Sequence, residues 1–190
     1  MAAGRLKLLL ATGNQHKVEE LRRALSDFEV GAFAVADAPH ETGTTYLHNA
    51  RIKARHARTH APADAWVVGE DSGIEAVALG GRPGVQSARW ADDGVAALLA
   101  ALAAEPDRRV RYVSTLVALS VAGEELSATG TLEGVAADAP RGREGFGYDP
   151  VVIPTGETRT VAELGGAWKA THSHRARAAR ALAEQLTRAR

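Results

Sequence analysis

No cysteine occurs in this chain of 190 residues. Its absence excludes a disulfide framework, a zinc site built on thiolates and a cysteine nucleophile. An excess of charge of either sign is also lacking, because 23 basic residues balance 23 acidic ones. A neutral chain has no overall electrostatic attraction for nucleic acid or an anionic membrane. We therefore expect neither partner, and an anionic ligand must be held by a local cluster of donors.

Long hydrophobic runs are missing as well. No apolar segment approaches the ~20 residues that span a bilayer. The run Leu8-Leu9-Leu10-Ala11 is shorter than the roughly 7–15 apolar residues of a signal sequence. The lack of cysteine also fits a reducing compartment. Together these features predict a soluble, cytoplasmic protein.

The length and the order of the elements predict the fold class. A chain of this length is typical of one domain, here residues 1–190. Aliphatic strands alternate with segments of helical periodicity, and residues 111–121 and 125–135 are typical of a long β-hairpin. The prediction is an α/β fold in which helices flank a mixed, twisted sheet. Its last helix is expected to begin near His174, with Ser173 as the N-cap.

The first strand leads into a segment that could bind phosphate. Residues 6–11 predict a buried strand, and the next residues are Thr12, Gly13, Asn14, Gln15, His16 and Lys17. The backbone N–H groups and the dipole at a helix N-terminus favour an anion. Gly13 would let the backbone approach a phosphate, and Lys17 adds a charge. The spacing is not that of a P-loop, and an ordinary capped turn with a solvated lysine is the alternative.

Three carboxylates are candidates for chemistry. Glu41 lies in a polar turn, and residues 66–69 predict a short strand that ends at Glu70 and Asp71. We expect a turn at residues 70–73 and another strand over residues 74–79. Mg²⁺ usually binds through one or two carboxylates together with substrate phosphates. The alternative is that these residues are solvated turn positions.

Two further clusters lie towards the C-terminus. Phe146, Gly147, Tyr148 and Asp149 form an aromatic loop in a chain with only 5% aromatic residues. An aromatic ring can stack on a purine, although packing in the core is the alternative. Lys169, His174 and Arg175 place basic side chains around the start of the last helix, where they oppose the helix dipole. Such a cluster favours a binding role, with general arginine richness as the alternative.

Taken in order, these blocks resemble the inosine/xanthosine triphosphate pyrophosphatase family over almost the whole chain. The residues that carry the resemblance are Thr12-Gly13-Asn14-x-x-Lys17, Glu41-Thr42-Gly43, Asn49-Ala50-x-x-Lys53-Ala54, Asp71-Ser72-Gly73, Pro83-Gly84 with Ser87-Ala88-Arg89, Phe146-Gly147-Tyr148-Asp149-Pro150, and Lys169 with Ser173-His174-Arg175. The resemblance implies two lobes around a central nucleotide cleft, dependence on Mg²⁺, and a homodimer.

The resemblance also implies a role for each matched residue. Glu41 and Asp71 would hold the metal, Asp71 would be the general base, and Ser72 would contact the substrate. Residues Thr12 to Lys17, with Lys53, would hold the triphosphate. The base and sugar would be surrounded by Phe146, Gly147, Tyr148, Asp149, Lys169, His174 and Arg175. Glu70 stands where the family often has a second aspartate, so a metal role for Glu70 is less certain.

The implied reaction is hydrolysis of ITP, dITP or XTP to the monophosphate and pyrophosphate. His174 and Arg175 would donate hydrogen bonds to the purine C6 oxygen and would discriminate against the amino group of adenine, which cannot accept them. Two alternatives stay open at this point. One is a pyrophosphatase for modified pyrimidines or methylated bases, and the other is a sensor that binds triphosphates without turnover.

Overall fold

The computed structural model describes residues 5–189 and contains one six-stranded sheet. Its strands are β1 (Lys7–Leu10), β2 (Glu29–Ala32), β3 (Trp66–Ala76), β4 (Arg109–Leu119), β5 (Glu125–Ala136) and β6 (Val152–Pro154), in the order β2-β1-β3-β4-β5-β6. Strand β1 pairs in parallel with β2 and β3, whereas β5 and β6 are antiparallel. The predicted mixed sheet is therefore confirmed.

The helices are α1 (Gln15–Ala24), α2 (Tyr46–Arg58), α3 (Gly94–Ala101), α4 (Val161–His172) and α5 (His174–Arg188). Side chains of Asn14, Thr45, Asp93 and Thr160 cap the first four by accepting backbone N–H bonds. Each of these four helices therefore begins after a residue type that commonly serves as an N-cap. Between residues 5 and 189, no helix is long and apolar enough to cross a bilayer.

The chain divides into two compact units. The first contains the described residues up to Asp71, Ser114–Gly130, and the described residues from Arg175 onward. One of its apolar clusters includes Leu8, Leu21, Leu116 and Leu182. The second unit contains Ser72–Val113 and Thr131–His174. Its cluster includes Ile74, Leu98, Leu132 and Val151.

The predicted turn at residues 70–73 is wrong, because β3 runs without interruption from Trp66 to Ala76. Pairing within a sheet overrides the weak local preference of a Glu-Asp-Ser-Gly sequence for a turn. The expected strand over residues 74–79 also ends at Ala76, and a short 3₁₀ helix follows at Val77–Leu79. Since successive side chains of a strand point to opposite faces, Glu70 and Asp71 lie in different environments.

Helix α4 has no counterpart in the sequence prediction. The pair Gly165-Gly166 interrupts its helical pattern. Gly165 has a φ of 80°, which residues other than glycine rarely adopt. A sequence signal for its start was nevertheless present. Thr160 and Glu163 form a reciprocal capping box, which is the pattern Thr-x-x-Glu.

Strand β3 and helix α2 approach each other closely within the first unit. A Cβ atom at Gly69 would collide with the backbone of α2 at Ala50 and Ala54. Only glycine permits this approach. The contact brings Lys53, on α2, beside Glu70 and Asp71 on β3.

Candidate active site

The segment between β1 and α1 has the geometry of an open helix N-terminus. The Thr12 hydroxyl accepts a bond from the Asn14 N–H at 3.1 Å, and the Asn14 side chain accepts one from the Lys17 N–H at 3.3 Å. Gly13, Asn14, Gln15 and His16 are exposed. This arrangement can receive an anion at the start of α1.

Glu70 lies at the centre of a buried group of charges that we call the Glu70 cluster, formed by Lys17, Glu20, Glu70, Ser114 and Arg175. Its Oε2 accepts from Lys17 Nζ at 2.6 Å, and its Oε1 accepts from Ser114 Oγ at 2.9 Å. Burial alone would raise the pKa of Glu70, but the charges of Lys17 and Arg175 outweigh burial and hold that pKa well below its usual range. Glu70 is therefore an anion that orients Lys17.

Arg175 completes the Glu70 cluster. Its guanidinium donates to Glu70 Oε1 from Nε and Nη2, both at 3.2 Å, and it also pairs with Glu20. Only 2% of the residue is exposed. The structure thus places Arg175 between two carboxylates of the first unit.

Lys53 is surrounded by oxygens in a second group, the Lys53 cluster, formed by Glu41, Asn49, Lys53 and Asp71. Lys53 Nζ lies 2.6 Å from Glu41 Oε1, 3.3 Å from Asp71 Oδ1 and 2.9 Å from the main-chain oxygen of Glu70. Burial lowers the pKa of Lys53, but the negative charges of Asp71 and Glu41 outweigh burial, so the net shift is upward. The lysine is a firmly held cation.

Asp71 is buried and is fixed through both of its oxygens. Besides the contact with Lys53, its Oδ2 accepts from Asn49 Nδ2 at 3.0 Å. Asn49 also accepts the backbone N–H of Gly43 at 2.8 Å, which connects the Glu41 turn to the same amide. Burial raises the pKa of Asp71 although Lys53 and Asn49 oppose the shift. A carboxylate with a raised pKa is a better proton acceptor than an exposed aspartate.

The oxygens around Lys53 are also the kind of ligand that a hard divalent cation prefers. Among residues 5–189, no three or more histidine and acidic side chains are grouped as a metal cage. Mg²⁺ does not need such a cage, since it often uses one or two carboxylates and takes its other ligands from water and phosphate. Glu41 and Asp71 fit that requirement, because their carboxylates already converge on one positive charge, the ammonium group of Lys53.

The second unit holds a separate group, the Asp149 cluster, formed by Tyr112, Phe146, Asp149, Lys169 and His174. Asp149 Oδ1 accepts from the Tyr112 hydroxyl at 3.0 Å, and Oδ2 accepts from the Phe146 N–H at 2.9 Å and from Lys169 Nζ at 2.5 Å. Gly145, with a φ of 84°, leaves room for this carboxylate, because a Cβ there would strike Asp149.

The aromatic members of the Asp149 cluster have defined partners. Lys169 Nζ lies 4.8 Å from the centre of the Phe146 ring, within the range of a cation–π contact. The imidazole of His174 is stacked on Tyr112, with ring centres 4.5 Å apart and planes inclined by 10°. Phe146 is partly exposed, whereas His174 is buried.

Three further predicted residues lie outside these clusters: Tyr148, Gly147 and Ser72. Tyr148 packs in the core of the second unit, and its hydroxyl donates to the Ser87 main-chain oxygen at 3.0 Å. Burial raises its pKa. Gly147 is exposed beside it, and Ser72 is partly buried within β3. Tyr148 therefore packs in the core, while its contact with a substrate stays a prediction.

Four residues of these clusters were not among the predicted site residues: Glu20, Asn49, Ser114 and Tyr112. Asn49 carried a signal, because it shares a face of α2 with Lys53 at i, i+4. Ser114 and Tyr112 lie in the hydrophobic pattern of β4, and Glu20 resembles any acidic residue of an exposed helix. No sequence pattern distinguishes these three from ordinary strand and helix positions.

Comparison with known proteins places this arrangement among related chains. A model of the Ham1 family matches residues 8–185. A dITP/XTP pyrophosphatase of Symbiobacterium thermophilum is 47% identical over 192 residues, which cover 95% of this chain and 94% of that protein. A dITP/XTP pyrophosphatase of Bdellovibrio bacteriovorus is 38% identical over 195 residues, covering 95% and 98% respectively.

A solved structure is similar over nearly the same length. The Ham1 protein of Staphylococcus aureus matches with a TM-score of 0.84 at 30% sequence identity. The match covers 97% of this chain and 100% of that one. The α/β fold predicted from the sequence is thus shared with a solved protein.

Proposed function

This chain belongs to the Ham1 family, and we propose that it hydrolyses non-standard purine nucleoside triphosphates to the monophosphate and pyrophosphate. The substrates we propose are dITP, ITP and XTP. Relatives at 38% and 47% identity bear the name dITP/XTP pyrophosphatase. The observation that carries the proposal is the Lys53 cluster, in which a buried carboxylate, a second carboxylate and a lysine converge.

The phosphate chain is assigned to the first unit. Thr12, Gly13, Asn14, Gln15 and His16 offer backbone and side-chain donors at the start of α1, and Lys17 and Lys53 supply positive charge. Lys17 lies 2.6 Å from Glu70, so its ammonium is held in place before a substrate arrives. Preorganised charge of this kind stabilises a phosphoryl transition state without reorganisation. Arg175 contributes by fixing Glu70.

Asp71 is assigned as the general base and, with Glu41, as a ligand of Mg²⁺. Bound Mg²⁺ would polarise phosphate oxygens and lower the pKa of a water. Asp71 would accept the proton of the attacking water, a role that suits a carboxyl group whose pKa is raised by burial. Asn49 would keep the Asp71 carboxylate in one orientation. Ser72, adjacent to Asp71, would contact the substrate.

The purine is assigned to the Asp149 cluster of the second unit. Phe146 offers a ring for stacking, and His174 offers a donor to the C6 oxygen of hypoxanthine or xanthine. Adenine presents an amino group at that position and would leave the donor unpaired. Lys169 and Asp149 would hold the aromatic loop through the Phe146 backbone and ring, with Gly147 and Tyr148 as its remaining members.

Product analysis tests the proposal. The protein is incubated with Mg²⁺ and, separately, dITP, ITP, XTP, dATP, dGTP and modified pyrimidine triphosphates in ¹⁸O-labelled water. We expect pyrophosphate as the first product and the label in the monophosphate, because attack is proposed at the α-phosphorus. A chelator should stop the reaction and added Mg²⁺ should restore it. Stepwise release of single phosphates contradicts the proposal.

The same panel distinguishes the two alternatives. Faster turnover of triphosphates with modified pyrimidines or methylated bases than of dITP would favour a pyrophosphatase for those bases. Tight triphosphate binding with no product would favour a sensor. The presence of both Glu41 and Asp71 beside Lys53 argues against a sensor.

We further propose a homodimer, which light scattering on the purified protein would test.

A further inference from the structure

Tyr112 connects two parts of the second unit that lie far apart in the sequence. It lies on β4 and is only 6% exposed. Its hydroxyl donates to Asp149 in the turn before β6, and its ring is stacked on His174 at the start of α5. One side chain therefore contacts both the aromatic loop and the first residue of the last helix.

The hydroxyl determines the orientation of the Asp149 carboxylate. Asp149 Oδ2 accepts from the Phe146 N–H and from Lys169, while Tyr112 donates to Oδ1. With a donor on each oxygen, the carboxylate cannot rotate about its terminal bond without losing a hydrogen bond. Loss of the tyrosine donor would therefore loosen the acceptor on which Phe146 and Lys169 depend.

The ring of Tyr112 determines the plane of the His174 imidazole. The two planes differ by 10° with centres 4.5 Å apart, which is a stacked arrangement. A ring N–H donates within the plane of its own ring. The stack thus limits the directions in which His174 can donate a hydrogen bond.

We infer that Tyr112 is a positioning residue for base discrimination, acting through Asp149 by its hydroxyl and through His174 by its ring. The inference rests on the proposed function, because discrimination presupposes turnover of purine triphosphates. Tyr112 acts without contacting the substrate. Its two contacts make the aromatic loop and His174 a single preorganised unit.

Two variants of Tyr112 separate the contributions of the hydroxyl and the ring. Tyr112→Phe removes the donor and keeps the stack, whereas Tyr112→Leu removes both. We expect the ratio of kcat/KM for ITP over ATP to fall about tenfold in Tyr112→Phe, as for loss of one hydrogen bond to a charged group. It should fall further in Tyr112→Leu. An unchanged ratio in Tyr112→Phe overturns the role of the hydroxyl.

Thr115→Val is the matched control for stability. Thr115 lies on the same strand, is 3% exposed, and forms a hydroxyl–hydroxyl bond with Thr129 at 2.9 Å. This variant also loses a buried hydroxyl, so its thermal stability should fall by a similar amount. Its ITP-over-ATP ratio should stay unchanged. A similar loss of the ratio in this control would show that Tyr112→Phe acts only through stability.

NMR of the ligand-free protein provides a readout that does not depend on activity. In Tyr112→Phe the Phe146 amide should exchange faster with solvent, and the ring-current shift of the His174 protons should persist. In Tyr112→Leu that shift should disappear. If the wild-type protein releases no pyrophosphate, the proposed function fails, while these signals still decide whether Tyr112 orients Asp149 and His174. Unchanged signals in both variants overturn the inference.

Discussion

Asp71 and Asn49 form a buried pair in which the amide, donating at 3.0 Å, holds one oxygen of the carboxylate while Lys53 contacts the other. The same amide accepts the Gly43 N–H. A single neutral side chain thus fixes both the proposed base and the turn that carries Glu41. The pair explains why an asparagine, which takes no part in proton transfer, is completely buried beside the charges.

Asn49→Ala should therefore lower kcat by about tenfold, because Asp71 loses the donor that fixes its orientation. The effect on KM should be smaller, since no phosphate contact is removed. Steady-state kinetics with dITP measures both. Gln185→Ala is the control, as it removes an amide bond to the Ser127 main-chain oxygen at the surface. Equal losses of kcat in the two variants would contradict the role of Asn49.

Asp71→Asn should lower turnover by on the order of a hundredfold or more, as expected when a general base and metal ligand is lost. Pyrophosphate release from dITP measures it. Glu75→Gln is the control, because Glu75 is a carboxylate of the same strand in an ion pair with Arg111 at 2.6 Å. Near-normal turnover in Asp71→Asn would remove Asp71 from the base role.

The raised pKa of Asp71 predicts the position of the acid limb of kcat/KM. Below its pKa the carboxyl group is protonated and cannot accept a proton from water, so activity should rise as the pH passes upward through that pKa. In the metal-free protein burial raises the pKa of Asp71 above the ordinary aspartate value of 3.8, and a bound Mg²⁺ would lower it, so the limb should move to lower pH as the Mg²⁺ concentration is increased. The pH profile of Asp71→Asn should lack this limb. An acid limb whose position does not change with the Mg²⁺ concentration would contradict the assignment.

The lowered pKa of Glu70 predicts how stability changes in acid. A carboxylate with a depressed folded-state pKa stabilises the protein above its unfolded value, near 4.5, and this contribution is lost as the pH falls through the folded-state pKa. Thermal unfolding of the wild type and of Glu70→Gln should therefore differ most at neutral pH and converge at low pH. A difference in unfolding temperature that does not change with pH would argue against ionised Glu70 as the source of the added stability.

Arg175→Ala should destabilise the protein by about 3–5 kcal/mol, because it leaves the buried carboxylate of Glu70 and the partly buried carboxylate of Glu20 without their shared cation. Arg175→Lys should recover only part of this loss, since an ammonium cannot donate to both carboxylates in the guanidinium geometry. Denaturant unfolding measures both variants. In Arg175→Lys the KM for dITP should also rise, because a displaced Glu70 no longer positions Lys17.

His174→Ala and Phe146→Ala should differ in which rates they lower. Loss of the His174 donor should cost ITP turnover more than ATP turnover and so reduce their ratio. Stacking on Phe146 is indifferent to the purine, so both rates should fall by similar factors, within the ~1–3 kcal/mol expected of a stacked base. Full discrimination in His174→Ala would require the base to be read by other residues.

The order of elements was predictable wherever local chemistry and tertiary structure agree. The strand predicted from the aliphatic residues 6–11 is confirmed as β1, because a buried apolar run suits both the local preference for a strand and a place inside the sheet. The turn expected at residues 70–73 was wrong because only pairing across the sheet keeps such polar residues in a strand. Long-range pairing of this kind leaves no periodic signal in the residues themselves.

In the candidate site too, some residues could be predicted from local sequence and others depend on contacts between distant segments. Lys53 was selected through the family resemblance. Lys17, Glu41 and Asp71 could be selected by residue type and by their predicted places at a helix start, in a turn and at a strand end, although Asp71 in fact lies within β3. Their partners could not, because the contact from Arg175 to Glu70 joins residues 105 positions apart and that from Lys17 to Glu70 joins residues 53 apart. Adjacent residues such as Glu70 and Asp71 acquire different surroundings only once the alternation of β3 assigns them to opposite faces.

The close approach at Gly69 has a mechanical consequence. Since no side chain separates β3 from α2 there, the spacing between the strand that carries Asp71 and the helix that carries Lys53 is limited by contact between two backbones. Backbone contacts are far less compressible than layers of side chains that can change rotamer. The distance between Asp71 and Lys53 should consequently respond little to hydrostatic pressure or to temperature below unfolding, so that thermal expansion of the protein is taken up elsewhere.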